Sequence, residues 1–281
     1  MAMLRLVAID IDGTLLTSAQ VISSATRATI REVLERGVRV VLVTGRSFSQ
    51  ARAFAEELGL TTPLILHNGA LVKDTAGRVF DACLLAGETA REIIGRARAH
   101  GVALLCFDDP DGEGRAVTEP IAPENDRMLR YLSRWRRPVE LVPDLFEYAD
   151  HAVLALTTVD RWEKATGFAD AIERELGRRV RVWRTEYPQR DVALVDVVAP
   201  ECSKATALDR LARHWGIAPS EIMVVGDNRN DLEMLAYAGL GVVMGNAEEE
   251  LKRLGYYVTG TNDEDGLAHA LRRFLLGGDA A

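Results

Sequence analysis

The apolar run Leu6-Val7-Ala8-Ile9 breaks off in Asp10-Ile11-Asp12-Gly13-Thr14, and this junction constrains the fold more than any other stretch of the chain. Four consecutive apolar residues predict a strand buried on both faces, as in a parallel sheet. The two carboxylates that end it are two residues apart, so in extended chain both lean the same way. Gly13 then permits a tight turn. The arrangement predicts a strand that delivers two aspartates to the carboxyl edge of a sheet, where open α/β folds bind ligands. Two carboxylates held that close repel, which calls for a proton or a cation between them.

The segments that follow repeat the pattern. Ser23 and Ser24 are N-cap candidates, Ile30, Val33 and Leu34 fall at helical spacing, and Gly37 ends the helix. Val38-Arg39-Val40-Val41-Leu42-Val43 predicts a second buried strand, ending in Thr44-Gly45-Arg46. A helix over 48–58 and a third strand, Leu64-Ile65-Leu66, come next, the strand ending at His67-Asn68-Gly69-Ala70. Strand, helix, strand, helix, strand predicts a doubly wound parallel sheet of α/β class.

Near residue 84 the rhythm changes. A hairpin over 70–80, helices over 88–100, 123–135 and 161–176, and strands over 102–108, 151–158 and 179–185 predict an inserted α+β domain spanning 84–190. The first rhythm is expected to resume with a strand over 192–198. Next come a helix opened by Cys202-Ser203-Lys204 and the buried strand Ile222-Met223-Val224-Val225, which ends in Gly226-Asp227-Asn228-Arg229-Asn230-Asp231. A strand at Gly241-Val242-Val243-Met244, a helix starting at Gly245-Asn246-Ala247 and a closing helix over 266–276 complete the core, which is assigned to 1–83 and 191–281.

Composition narrows the function. A formal net charge of -8 argues against general nucleic-acid binding, which needs a basic face. No apolar run approaches the ~18 residues of a membrane span, and no signal-peptide pattern opens the chain. Cys83, Cys106 and Cys202 lack metal or disulfide spacing, so free thiols in a reducing cytoplasm are expected. Gly239 and Gly241 precede a strand, the wrong side for a dinucleotide fingerprint. The acidic balance leaves room for a local basic pocket that takes a phosphorylated small molecule, and the expected state is a monomer or small homo-oligomer.

If the parallel sheet is correct, Asp10, Asp12, Thr44, Asp227 and Asp231 gather on one edge, with Lys204 in a first helical turn. So many carboxylates need a hard cation, and Mg²⁺ takes one or two of them together with water and phosphate oxygens. Lys204, the Thr44 hydroxyl and nearby backbone N–H groups add positive charge and donors, the parts a phosphoryl group requires. Asp10 is then the expected nucleophile. Asp12 is the expected acid and base. The metal is expected at Asp10, the Asp12 main-chain carbonyl and Asp227, with Asp231 orienting Asp227 or a coordinated water.

In this order the segments resemble the haloacid dehalogenase-like phosphatases. Val43-Thr44-Gly45-Arg46, Asn68-Gly69-Ala70, Ser203-Lys204, Met244-Gly245-Asn246-Ala247 and Thr261-Asn262-Asp263-Glu264-Asp265-Gly266 extend the likeness to the Cof-type branch, whose large α/β cap lies between the threonine and lysine motifs. The resemblance implies the roles just given to Asp10, Asp12, Thr44, Lys204, Asp227 and Asp231. It also implies phosphate contacts from Thr44, Gly45, Lys204 and Asn230, with sugar phosphates as the substrate class. The family's glycine after the lysine is Ala205 here.

Each segment alone has a plainer explanation. Lys204 could be a solvated helix-start lysine, Asp227 and Asp231 an N-cap pair, and Thr44-Gly45-Arg46 a strand-to-helix turn. His67 is expected to pack or support rather than catalyse, and His151 to be structural. The basic, aromatic run over 130–137 is expected to be two faces of one helix, or an arginine contact to an acidic substrate. Two other functions fit parts of the pattern: a phosphohexomutase of the same fold, and a non-catalytic phosphate sensor with an acid cluster, threonine and lysine on a parallel sheet.

Overall fold

A computed structural model describes residues 3–133 and 139–277. Its contacts divide the chain into two units: Met1–Gly45, Ala51–Ala76 and Ser203–Ala281 form one, and Arg46–Gln50 with Gly77–Cys202 the other.

The first unit begins with β1 (Leu6–Asp10), α1 (Ser24–Glu35), β2 (Arg39–Val43), α2 (Phe48–Glu57, of which 48–50 are counted with the other unit), β3 (Leu64–Leu66) and β4 (Leu71–Lys73). In the second unit follow β5 (Val79–Ala82), α3 (Gly87–Ala99), β6 (Leu105–Phe107), β7 (Ala116–Thr118), α4 (Asp126–Leu132), β8 (Glu140–Leu141), α5 (Leu145–Tyr148), β9 (Ala155–Asp160), α6 (Trp162–Leu176), β10 (Arg181–Tyr187) and β11 (Val192–Val198). The first unit resumes with α7 (Lys204–His214), β12 (Ile222–Gly226), α8 (Leu232–Tyr237), β13 (Leu240–Val243), α9 (Glu249–Lys252), β14 (Tyr257–Val258) and α10 (Gly266–Leu271).

The strands of the first unit run in the order β14-β13-β12-β1-β2-β3-β4. From β14 to β3 they are parallel, and β4 returns antiparallel to β3. Every residue of β1 and β12 is buried, as strands covered on both faces require. After β1 the chain moves outward through β2 and β3, then crosses to β12 and β13 on the other side. Register aligns the carboxyl ends: Asp10 lies beside Val43, Ile9 beside Val225, and Val43 beside Ile65. Ser23 caps α1 by accepting from Thr26 N at 3.0 Å, and Ser203 caps α7 in a capping box with Thr206.

The second unit holds a sheet ordered β10-β11-β9-β6-β7-β8, antiparallel except between β7 and β8. Its β11 corrects the expectation that 192–198 resumes the first sheet. Val192–Val198 pairs along its length with β10 and β9, and only one of its faces is fully buried. An apolar run does not reveal which sheet it joins, because both sheets offer apolar neighbours.

Other differences are local. The strands expected over 102–108 and 151–158 are β6 and β9, and α4 starts only after Asn125, which caps it. The helix expected through 135 and part of the basic run over 130–137 lie outside the described residues. His151 precedes β9, and its Nε2 lies 3.0 Å from the buried Asp108 carboxylate, to which Arg115 and the Tyr148 hydroxyl also donate. The three cysteines are free and buried. Among the described residues no helix is long and apolar enough to cross a membrane.

Candidate active site

Lys204 is the centre of the site. It opens α7 and is only 1% exposed, which removes the solvated-lysine explanation. Its Nζ donates to Asp10 Oδ1 at 2.5 Å and to Asp231 Oδ1 at 2.7 Å. Burial alone would lower its pKa, but Asp10 and Asp231 overcome that and hold it above the usual lysine range. The ammonium is therefore a fixed positive charge between two buried acids.

Asp10 closes β1 and is 4% exposed. Burial raises its carboxyl well above the usual range, and the charges of Asp231, Asp227 and Asp12 push the same way, against Lys204. Asp227 follows β12, and its carboxyl is pushed up to about 7 by burial and by Asp231. Asp10, Asp227 and Asp231 each offer a carboxylate oxygen within 4.8 Å of the others. Asp231 is already engaged on both sides. Its Oδ2 accepts from the backbone N–H groups of Asp227 and Asn228 at 3.1 and 3.0 Å, and its Oδ1 accepts from Lys204. Its observed action is thus on the Asp227 main chain and on the lysine. Asp10 and Asp227 are the pair better placed to hold a cation, since each carries one engaged oxygen and both carboxyls are raised, and two adjacent carboxylates suit a divalent ion.

The turn after β1 completes this side. Gly13 has φ +83°, and a Cβ there would stand 2.3 Å from Asp227 Oδ2, so only glycine fits. Thr14 donates its hydroxyl to Asp227 Oδ1 at 2.8 Å. Sequence reasoning counted Thr14 as part of a turn and missed this contact. Asp12 is exposed beside the cluster and forms an isolated bridge with Leu16.

Thr44 follows β2 directly and is 1% exposed. Its N–H donates to Ile65 O at 2.8 Å, and its carbonyl accepts from Asn68 N at 3.0 Å. His67, Asn68 and Gly69 all have positive φ, 48°, 54° and 101°. That tight turn touches three site segments. A Cβ on Gly45 would stand 3.1 Å from Asn68 Nδ2, and Asn230 Nδ2 donates to Asn68 Oδ1 at 2.9 Å. A Cβ on Gly69 would come within 2.1 Å of Ser203 O, next to Lys204. Asn68 belongs to a segment that carried the family resemblance, but the sequence reading gave it no part in the site; its contacts with Gly45 and Asn230 supply one. His67 is buried, and burial alone pushes its pKa down to about 4, so it is neutral at pH 7 and packs as expected.

Residues 7–271 match the family described as haloacid dehalogenase-like hydrolase. The chain belongs to that family. It is a Cof-type phosphatase, a phosphoric monoester hydrolase, as its motifs led us to expect. The HMP-PP phosphatase of Serratia proteamaculans is 32% identical over 97% of this chain and 96% of its own length. A haloacid dehalogenase-like hydrolase from Bacteroides thetaiotaomicron superposes with a TM-score of 0.82 at 28% identity, over 96% of this chain and 99% of that one. The HAD subclass IIB sugar phosphatase BT4131 superposes with a TM-score of 0.79 at 25% identity, over 96% and 98% of the two chains.

The raised carboxyls give a test of the cation site. Asp227 titrates near 7 when folded, against an ordinary 3.8. A raised folded pKa contributes stability that is complete below the unfolded value and is lost as pH rises through the folded one. A divalent cation takes the ionised form and offsets that loss. Mg²⁺ is therefore expected to raise the thermal midpoint more at about pH 8 than at about pH 5.5. Differential scanning calorimetry at the two pH values checks this; an equal shift at both would contradict a cation held by these acids.

Proposed function

We propose that the chain is a Mg²⁺-dependent phosphatase that releases phosphate from a small phosphorylated metabolite through an aspartyl-phosphate on Asp10. The observation that carries this reading is the burial of Lys204 between Asp10 and Asp231, with Asp227 in the same cluster at the strand ends. Such a cluster has little structural use. Replacing buried ion pairs with apolar side chains is commonly neutral or stabilising, so the acids are better explained by chemistry.

The proposed steps use this chain's own groups. The Asp10 carboxylate attacks phosphorus while the bond to the leaving oxygen breaks, and Asp12 gives that oxygen its proton. Asp12 then takes a proton from the water that attacks the aspartyl-phosphate, which returns Asp10 and frees inorganic phosphate. Lys204 holds Asp10 and offsets charge on the phosphoryl oxygens, with Thr44, Gly45 and Asn230 as further donors around them. When bound, Mg²⁺ would neutralise phosphoryl charge from Asp10, the Asp12 main-chain carbonyl and Asp227. Asp231 keeps Asp227 and Lys204 in place.

Substrate choice is proposed to lie in the inserted segment 84–190. Relatives named for HMP-PP and for a sugar support a small phosphorylated metabolite, with sugar phosphates the first class to test. The net charge of -8 supports a small-molecule partner over nucleic acid. We place the protein in the cytoplasm, as a monomer or small homo-oligomer.

The test is a screen of phosphorylated metabolites, read as free phosphate with and without Mg²⁺. Metal-dependent release from at least one sugar phosphate or other small phosphorylated metabolite is expected. An isomerised hexose phosphate without free phosphate would instead identify a mutase.

A further inference from the structure

Gly245-Asn246-Ala247 and Thr261-Asn262-Asp263-Glu264-Asp265-Gly266 supply no group to the chemistry proposed above. Both nevertheless reach the turn that carries Asp12. Asn246 does not start a helix as expected; it sits in a turn ahead of α9. Its Nδ2 donates to Gly13 O at 2.9 Å, and its Oδ1 accepts from Asn262 N at 2.9 Å. Asn262 in turn donates through Nδ2 to Leu16 O at 2.7 Å. Further along, Asp263 Oδ1 accepts from Ser18 N at 2.8 Å, and Asp265 accepts from the Ser23 hydroxyl.

The two segments form one support. Gly245 N donates to Gly260 O at 2.9 Å, and Thr259 Oγ1 donates to Gly266 O at 2.7 Å. A Cβ on Gly266 would stand 2.0 Å from Gly260 O, so the loops approach this closely only because glycine is there. The supported turn is tied to the strand and to the two loops. Leu15 N and Leu16 N reach back to Asp10 O and Ile11 O, while the carbonyls of Gly13 and Leu16 are taken by the two asparagines.

We propose that Asn246 and Asn262 are positioning residues for catalysis, acting as one clamp on the turn at residues 13–16. The inference rests on the function proposed above. Asn246 fixes the peptide between Gly13 and Thr14. That peptide sets both the Thr14 hydroxyl on Asp227 and the direction in which Asp12 leaves the strand. Asparagine suits the role because one side chain can donate to a carbonyl and accept from an N–H at once. Aspartate at 246 would keep the acceptor for Asn262 N but set a carboxylate against Gly13 O.

Full-length Asn246→Asp and Asn262→Ala proteins, and the double variant, separate this from a merely structural tie. Hydrolysis of para-nitrophenyl phosphate gives kcat and KM, Mn²⁺ binding by electron paramagnetic resonance gives a readout independent of turnover, and calorimetry gives the thermal midpoint. Because a small misplacement of reacting groups costs rate steeply, each single variant is expected to lose about tenfold or more in kcat, with KM within about threefold. Mn²⁺ binding weakens alongside, and the double variant loses no more than the worse single one, as for residues acting as a unit. Wild-type kcat in Asn246→Asp, or losses that multiply in the double variant with Mn²⁺ binding unchanged, would overturn the proposal. An Asp10→Asn protein assayed alongside keeps the two readings apart. If it turns over at the wild-type rate, the proposed function fails; if it is inactive while Asn246→Asp is fully active, only the clamp fails.

Discussion

An Asp10→Asn protein is expected to lose about a thousandfold or more of its phosphatase turnover while remaining folded. Asparagine has nearly the shape of aspartate, so β1 and its pairing with β2 and β12 should survive. What disappears is the carboxylate that forms the covalent bond. The substitution also removes a buried acid whose pKa is raised by burial and by Asp231, Asp227 and Asp12. Relieving that strain should leave the metal-free protein at least as stable as wild type near neutral pH, because a raised folded pKa costs stability at any pH above the ordinary carboxyl value of 3.8. The combination, activity lost and stability kept, distinguishes a nucleophile from a structural carboxylate. Retention of wild-type hydrolysis of an aryl phosphate would end the mechanism proposed for Asp10.

Lys204→Met should do the opposite to stability. Methionine fills much of the same volume but leaves Asp10 and Asp231 buried without their shared cation. Breaking a buried pair from one side costs about 3 to 5 kcal/mol, because the remaining charges stay desolvated. Turnover is expected to fall by about a hundredfold or more, since a donor to both the nucleophile and the phosphoryl oxygens is gone. Combining Lys204→Met with Asp10→Asn should recover part of the stability and none of the activity. Chemical denaturation of the four proteins, wild type included, measures the coupling. Strict additivity would mean that the ammonium and Asp10 do not interact energetically, despite their 2.5 Å separation.

Much of the catalytic core was legible in the chain. Leu6–Asp10 ends in Asp10, while Arg39–Val43 and Ile222–Gly226 lead directly into Thr44 and Asp227, and parallel strands with their carboxyl ends level bring those positions to one edge. Local propensity, hydrophobic period and the chemistry at each strand end all agree there. Where they do not agree, the reading failed. Val192–Val198 has the composition of a core strand, yet it pairs with β9 and β10 in the other sheet. The Gly245-Asn246-Ala247 stretch looks like a helix start but is a turn whose side chain reaches Gly13. Nothing near Asn246 in sequence announces a partner more than two hundred residues away.

By itself, the sequence determined that buried parallel strands lead into acids and a threonine, and that a helix opens on a lysine, all suited to phosphoryl chemistry, because strand burial, helix capping and residue chemistry are local properties. Tertiary structure alone decided which acid meets which cation: Asp231 spends its oxygens on Lys204 and the Asp227 backbone, and two asparagines from distant loops grip the turn beside Asp12. Those choices depend on hydrogen bonds between residues far apart in the chain, and such bonds exist only once the sheet has brought its edges together.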